Sequence, residues 1–248
     1  MSTTKGNPTL LAIDSCGTRP GAALWDGVSA PQVFHVAEHP PRAEGLANCV
    51  HRLLHDAGRD MTSIDCLAVL SGPGSYTGLR TGLAFVRGLA LVDDLPVAPV
   101  SALERLAFFT GAEGEKVIAT WQGSAGLVVA GAYQVCDGLP LEIIAGGAFD
   151  AGALEGFIAH CIRVEPGPWV LAIERTQEDI PAVRARFAGV ERRVVDSQHV
   201  EAVARIGYAR HVGGLGVGAD NVVPDYVGTS EPRINRNRVA APFARVTH

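Results

Sequence analysis

Leu67–Val92 reads LAVLSGPGSYTGLRTGLAFVRGLALV: a short apolar strand, a glycine-rich turn, and a helix that is apolar on nearly every side. Leu67 to Leu70 is an uninterrupted apolar run ended by Ser71-Gly72-Pro73-Gly74, the pattern of a strand buried on both faces in a parallel sheet. Gly72, Gly74 and Gly78 let the backbone turn and come close to a neighbour or a ligand. Ser75 and Thr77 offer oxygens to the free amides of a helix start. The helix that follows carries Leu79, Leu83, Phe85, Val86, Leu89, Leu91 and Val92, with Arg80, Thr81 and Arg87 as its clearly polar members. A surface helix needs one apolar stripe, and this one has two. One stripe covers its own sheet, which leaves the other for a second helix or another protein.

Composition sets the bounds. At 248 residues the chain is one large domain or two small ones, and either buries a real core. A hydrophobic content of 47% with 19% charged residues describes a globular chain. A net charge of −5 argues against a protein that grips nucleic acid unaided, because that affinity rests on neutralising phosphates. The five cysteines (Cys16, Cys49, Cys66, Cys136, Cys161) are scattered and form no CxxC, which suits reduced thiols and neither a disulfide framework nor a zinc site. The polar opening MSTTKGNPT and the lack of a long apolar run predict no signal peptide, no membrane contact and a cytoplasmic location.

Working outward, LLAID (Leu10–Asp14) and GAALW (Gly21–Trp25) read as strands, and Gln32–Val36 as a third after the Asp26-Gly27 turn. Ala43–Ala57 places Leu46, Val50, Leu53, Leu54 and Ala57 on one helical face, ended by Gly58. The Ile64–Leu70 strand, the central helix and the Val97–Val100 strand follow. Ser101 with Glu104 then opens a helix on a capping box. The order βββαβαβα is that of a ribonuclease-H-like mixed sheet, and it bounds a first lobe at residues 1–110, completed by about 213–227. Residues 111–212 form a smaller α/β lobe, with strands at Val117–Trp121, Leu127–Val135, Leu141–Ile144, Trp169–Ile173 and Arg192–Val195. Its helices are Ala153–Ile162, Pro181–Phe187 and one capped by Ser197 that runs to about Val212. This again is strands followed by alternation, so the second half predicts an architectural duplicate of the first without a sequence repeat. Gly213–Gly218 reads as a flexible exit, and residues 228–248 as a loosely ordered tail whose arginines (Arg233, Arg236, Arg238, Arg245) either touch RNA or a partner or, more simply, solubilise it.

SGPGSYTGLRTGLAFVRGLAL followed by PVAPVSALERLA closely resembles the bacterial TsaB (YeaZ) family, and LAIDSCGTRPGAALWDG and PRAEGLANCVHRLLHDAG fit it too. The resemblance covers about Leu10–Phe108. Beyond it the family's Asp-Ala-Arg segment is replaced by Ala119-Thr120-Trp121-Gln122-Gly123, and its Tyr-Leu-Arg by Tyr226-Val227-Gly228. It implies the two-lobed ASKHA fold of actin, Hsp70 and sugar kinases. It also implies a non-catalytic subunit in the synthesis of threonylcarbamoyladenosine at adenosine 37 of transfer RNA. The partners so implied are a TsaD-type transferase and a TsaE-type ATPase, with transfer RNA met only indirectly. Aligned on the shared strand and glycine loop, the transferase's metal-binding histidines fall at Ala102 and Leu106, neither of which ligates a metal. No cofactor of its own is implied; ATP or ADP would belong to the interface of the complex.

Two sets of residues are candidate sites. The first is an interface built by the two helices, which the resemblance pairs with the transferase or with a second copy of the chain: Leu46, Val50, His51, Leu79, Arg80, Leu83, Val86 and Arg87. Gly78 and Gly82, four apart beside Leu79 and Leu83, are read as the small edge that lets another backbone approach. The second is an anion or nucleotide loop of Asp14, Gly72, Gly74, Ser75, Thr77 and Gly78. Asp14-Ser15-Cys16-Gly17-Thr18 resembles the first phosphate loop of ASKHA ATPases, in which an aspartate positions Mg²⁺. Thr120–Gly126, where a second acidic loop belongs, holds no acid, so a structural turn is the better reading. Gly72–Gly78 lacks the Gly-Lys-Ser/Thr of a Walker loop, and a tight strand-to-helix turn fits it better. The rivals are an active ASKHA ATPase working through Asp14, and a metal-dependent peptidase or acyltransferase working through His51 and His55, four apart on the first helix. The histidines have no glutamate between them and no third ligand nearby, so a solvated face fits them better.

Overall fold

The computed structural model describes residues 7–17, 19–36, 42–123, 126–184, 187–197 and 199–225, without the side chains of 42 and 43. Thr18, the Tyr226-Val227-Gly228 segment, the tail and its arginines lie outside the described residues.

The first sheet takes β1 (Leu10–Asp14), β2 (Gly21–Trp25), β3 (Gln32–His35), β4 (Cys66–Gly72) and β5 (Val97–Ser101) in the order β3-β2-β1-β4-β5. Only β1–β2 and β2–β3 are antiparallel. The second sheet takes β6 (Lys116–Gln122), β7 (Val128–Cys136), β8 (Leu139–Phe149), β9 (Trp169–Glu174) and β10 (Val190–Val195) in the order β10-β9-β6-β7-β8. Reversed, this is the first sheet again, with the same parallel and antiparallel pairs. The architectural duplication expected from element order alone is therefore present in full.

The strands have two buried faces because helices lie on both sides, as a parallel sheet requires. Leu11, Ile13, Leu67 and Val69 face α1 (Arg42–Asp56) and α2 (Tyr76–Asp93). Leu10, Ala12, Ala68 and Leu70 point the other way, onto α6 (Val200–Val212). That face is small on purpose of packing: a methyl added at Gly207 would strike the Ala68 side chain, so helix and sheet approach closely. In the second lobe Ile118, Ala130, Leu171 and Ile173 face α4 (Ala151–Val164), next to the short helix α5 (Pro181–Arg184). Val117, Ala119, Val129, Val170 and Ala172 face α3 (Ala102–Thr110).

The closing helices are thus exchanged. α3 follows the first sheet but covers the second, and α6 follows the second but covers the first. This moves the expected boundary: the chain returns to the first lobe at α6, near residue 200, and not at 213. Ser197 does not cap α6, whose N-cap is His199; its hydroxyl instead donates to the buried carboxylate of Glu174. Gly213–Gly218 is no loose exit either, since Val217 pairs with Val97 through reciprocal backbone bonds of 2.8 and 2.9 Å. The capping box at Ser101 and Glu104 forms as expected, and Arg210 of α6 reaches Glu104 and the carbonyl of Pro99, joining the two exchanged helices.

The crossing from α3 to β6 is held by Arg193 of β10. It donates to the carbonyl of Thr110 at 3.1 Å and bidentately to Glu115 at 2.6 and 2.9 Å. That hydrogen bonding, reinforced by the amide of Ala112, lowers the Glu115 carboxyl from 4.5 to about 2. A lowered folded value stabilises the chain above the unfolded value and loses that stabilisation as pH falls through the folded one. The contribution is therefore expected to fade between pH 4.5 and about 2. Arg193→Ala should return the Glu115 carboxyl toward its ordinary range in an NMR titration and flatten this acid limb; an unmoved titration would disprove the coupling.

Candidate functional site

Helix α2 begins on Ser75, whose Oγ accepts from the amide of Gly78 at 3.2 Å. Its inward face is Gly78, Leu79, Gly82, Leu83, Val86 and Ala90. Leu83 and Val86 meet Leu46 and Val50 of α1 over the first sheet, and Leu79 packs near Cys16. These five apolar members of the expected interface are each no more than 5% exposed, so they are contacts within the chain. Sheet strands β1 and β4 take up that stripe, which is why it is unavailable to a partner. Gly78 and Gly82 admit the chain's own Ser15 side chain and not a foreign backbone: Ser15 Oγ donates to the carbonyl of Gly78 at 2.6 Å, and a methyl on Gly82 would strike the same hydroxyl. Arg87 also turns inward, donating from Nη2 to the carbonyl of Val222 at 2.5 Å.

Of the predicted interface set, His51 and Arg80 are exposed. Around them lies a different edge of α2, which the sequence reading missed. Thr77, Ala84 and Gly88 are exposed and Thr81 half-buried, and their spacing of four, three and four keeps them on one line. No atom lies within 4 Å of the place where a Gly88 Cβ would stand. Beside this line Arg80 lies 4.0 Å over the Tyr76 ring, and Leu91 and Val92 are 72% and 79% exposed. Helix α1, packed beside α2, exposes Ala47, Asn48, His51 and His55. The two histidine rings stack at 6.4 Å, and His55 Nδ1 lies 3.2 Å from Asp56. Among the described residues no three histidine, cysteine, aspartate or glutamate side chains come together as metal ligands.

The second candidate set gathers where β1 and β4 end. Gly72, Gly74, Gly78 and Asp14 are met by other parts of the chain, whereas Ser75 and Thr77 are exposed. A methyl on Gly72, whose φ is 129°, would strike the carbonyl of Asp225, whose amide donates to Ser71 at 2.8 Å. A methyl on Gly74 would press on Cys16 Sγ. Asp14 Oδ1 accepts from the amide of Cys16 at 2.9 Å, and Oδ2 takes the guanidinium of Arg105, a residue of α3 that sequence reasoning missed. The pair is sealed: Asp14 is 1% and Arg105 0% exposed. Trp121, from the segment that stands in place of Asp-Ala-Arg, lies 6.0 Å from the guanidinium carbon. Ala102 and Leu106, on the same helix, are fully buried in hydrocarbon. A metal-bound nucleotide needs a free carboxylate at Asp14, and the guanidinium of Arg105 already occupies it, so these residues do not fit one.

The cysteines form no disulfide among the described residues. All five are free thiols, and burial pushes Cys66 up to about 12 and Cys161 to about 11, so neither supplies thiolate near neutral pH.

Two copies of one βββαβαβα unit, with closing helices exchanged and Asp14 of the first lobe engaged by Arg105, define a two-lobed ASKHA-type α/β protein. A family model described as "TsaD: tRNA N6-adenosine threonylcarbamoyltransferase" matches residues 40–202, more than half of the chain. The tRNA threonylcarbamoyladenosine biosynthesis protein TsaB of Bacillus subtilis is 34% identical over 140 residues, 55% of this chain and 59% of that protein. The Escherichia coli protein of the same name is 36% identical over 100 residues, 40% of this chain and 42% of that one. The match thus spans about half the length of these curated relatives. The solved structure of YeaZ from Pseudomonas aeruginosa superposes with a TM-score of 0.70 at 24% identity, over 89% of this chain and all of that one. The chain belongs to this family, in its TsaB (YeaZ) branch.

Proposed function

We propose that this chain is a partner subunit of a TsaD-type transferase in the synthesis of N6-threonylcarbamoyladenosine at adenosine 37 of transfer RNA, and contributes surface, not bond-making residues. Its family membership supports the pathway, since the TsaB relatives are named for threonylcarbamoyladenosine biosynthesis. Hydrocarbon at Ala102 and Leu106 and the engaged carboxylate of Asp14 support the absence of chemistry in this chain. The observation that carries the docking role is the outward line Thr77, Thr81, Ala84 and Gly88, where small side chains let a partner helix come within close-packing distance. Exposed Leu91, Val92 and Tyr76 add apolar area around it. Docking thus uses the same two helices as expected from sequence, turned to a different edge, with His51 and Arg80 retained.

On this reading a TsaE-type ATPase is the third component, and any ATP or ADP sits at a joint interface. The net charge of −5 suits transfer RNA held chiefly by the partner. Among the described residues no helix is long and apolar enough to cross a membrane. Co-expression with the TsaD-type transferase of the same genome, followed by sizing and a modified-nucleoside assay, tests the proposal. A stoichiometric complex whose modified nucleoside requires both chains is expected. Absence of a complex, or full modification without this chain, would overturn it.

A further inference from the structure

In open α/β sheets the ordinary ligand crevice lies outside the carboxyl ends of the parallel strands. β1 runs parallel to β4, and Asp14 is its last residue. What lies against the Asp14 carboxylate is the guanidinium of Arg105, brought by the helix that covers the other lobe. Its contacts are uneven. Nη1 bonds Asp14, whereas Nε and Nη2, both buried, have no hydrogen-bond partner. Each unmade buried donor costs about 1–3 kcal/mol, so hydrogen bonding alone does not account for an arginine at this point. Charge does: a carboxylate sealed at 1% exposure requires a cation beside it.

We infer that Arg105 takes the place of a divalent cation at Asp14, so that the chain neutralises its own crevice carboxylate and bars a metal-bound phosphate ligand from it. Trp121 of the second lobe stands over the guanidinium side of the pair and helps exclude water. The stand-in is a property of the single chain and holds whether or not α1 and α2 dock a transferase.

The test is Mn²⁺ binding to the intact chain, alone and with ADP, read by the loss of free-Mn²⁺ resonance signal and by thermal unfolding. The unaltered chain is expected to bind neither at millimolar concentration. Arg105→Met keeps bulk and removes the charge, and Mn²⁺ should then bind and raise Tm by several degrees, as a ligand of the folded state does. Asp14→Asn added to Arg105→Met should abolish both effects. Binding of Mn²⁺ by the unaltered chain, or a folded Arg105→Met chain indifferent to Mn²⁺, would overturn the inference. Should Arg105→Met not fold without metal, recovery on refolding with Mn²⁺ supports the inference and failure to recover refutes it.

Discussion

Gly88→Arg is expected to leave the chain folded and to weaken its pairing with a TsaD-type transferase by roughly ten- to a hundredfold. Over-packing a close contact costs about 1–3 kcal/mol, and 1.4 kcal/mol is tenfold in affinity. Stability should move the other way. Gly88 is an exposed helix residue with nothing within 4 Å of its absent Cβ, so a side chain there meets open space. Replacing such a glycine gains about 0.5–1 kcal/mol of helix stability. Opposite signs for folding and docking make the experiment decisive. Gly156→Arg is the control: Gly156 is also exposed and unobstructed, but lies on α4 of the second lobe. It should raise Tm and leave pairing alone. Equal loss of pairing in both variants, or none in either, would remove the α2 edge from the interface.

Substitutions on the opposite stripe of the same helix do not ask this question. Leu83 and Val86 are 4% and 1% exposed and sit in the core formed by α1, α2 and the first sheet. Leu83→Asp or Val86→Glu would bury a carboxylate without a partner, so each would report folding failure, whatever the partner does.

The contrast shows where sequence reasoning is strong and where it stops. Element order, the βββαβαβα unit and its repetition are all readable, because strand runs such as Leu67–Leu70 and the Asp26-Gly27 turn are local signals. The phase of α2 is not. A helix with apolar residues on two sides is consistent with either side facing the sheet, and the choice is made by Leu11, Ile13, Leu67 and Val69, far away in sequence. The outward small residues were invisible for a related reason, since Gly78 and Gly82 have the same character as Ala84 and Gly88. Arg105 is the larger omission. In ALERLAFFT it looks like an ordinary surface charge, and its burial arises only because α3 lies against the opposite lobe. One signal was available: nine residues with only Glu104 and Arg105 charged are too few for a helix with a solvated face. The exchange of α3 and α6 between lobes has no local signature, so element order alone points to a boundary at 213 and not near 200.

The buried pair has a stability consequence as large as the docking effect. Asp14→Leu removes one partner and leaves the Arg105 guanidinium, already lacking partners at Nε and Nη2, sealed without a counter-charge. Breaking a buried pair from one side costs about 3–5 kcal/mol, a large share of the roughly 5–15 kcal/mol that holds a domain folded. Replacing both members by apolar residues of similar bulk, Asp14→Leu with Arg105→Met, is expected to return most of that loss, because desolvation of both charges is then avoided. The double variant would not be entirely silent, since the bond from the amide of Cys16 to Asp14 Oδ1 is lost in either case, at about 1 kcal/mol. Urea unfolding of the two single variants and the double variant closes the cycle. A double variant more stable than Asp14→Leu alone shows that the charges are coupled and that the arginine is held there by the aspartate. If instead the losses simply add, the guanidinium is anchored by Trp121 and the α3 packing, and its contact with Asp14 contributes nothing to folding.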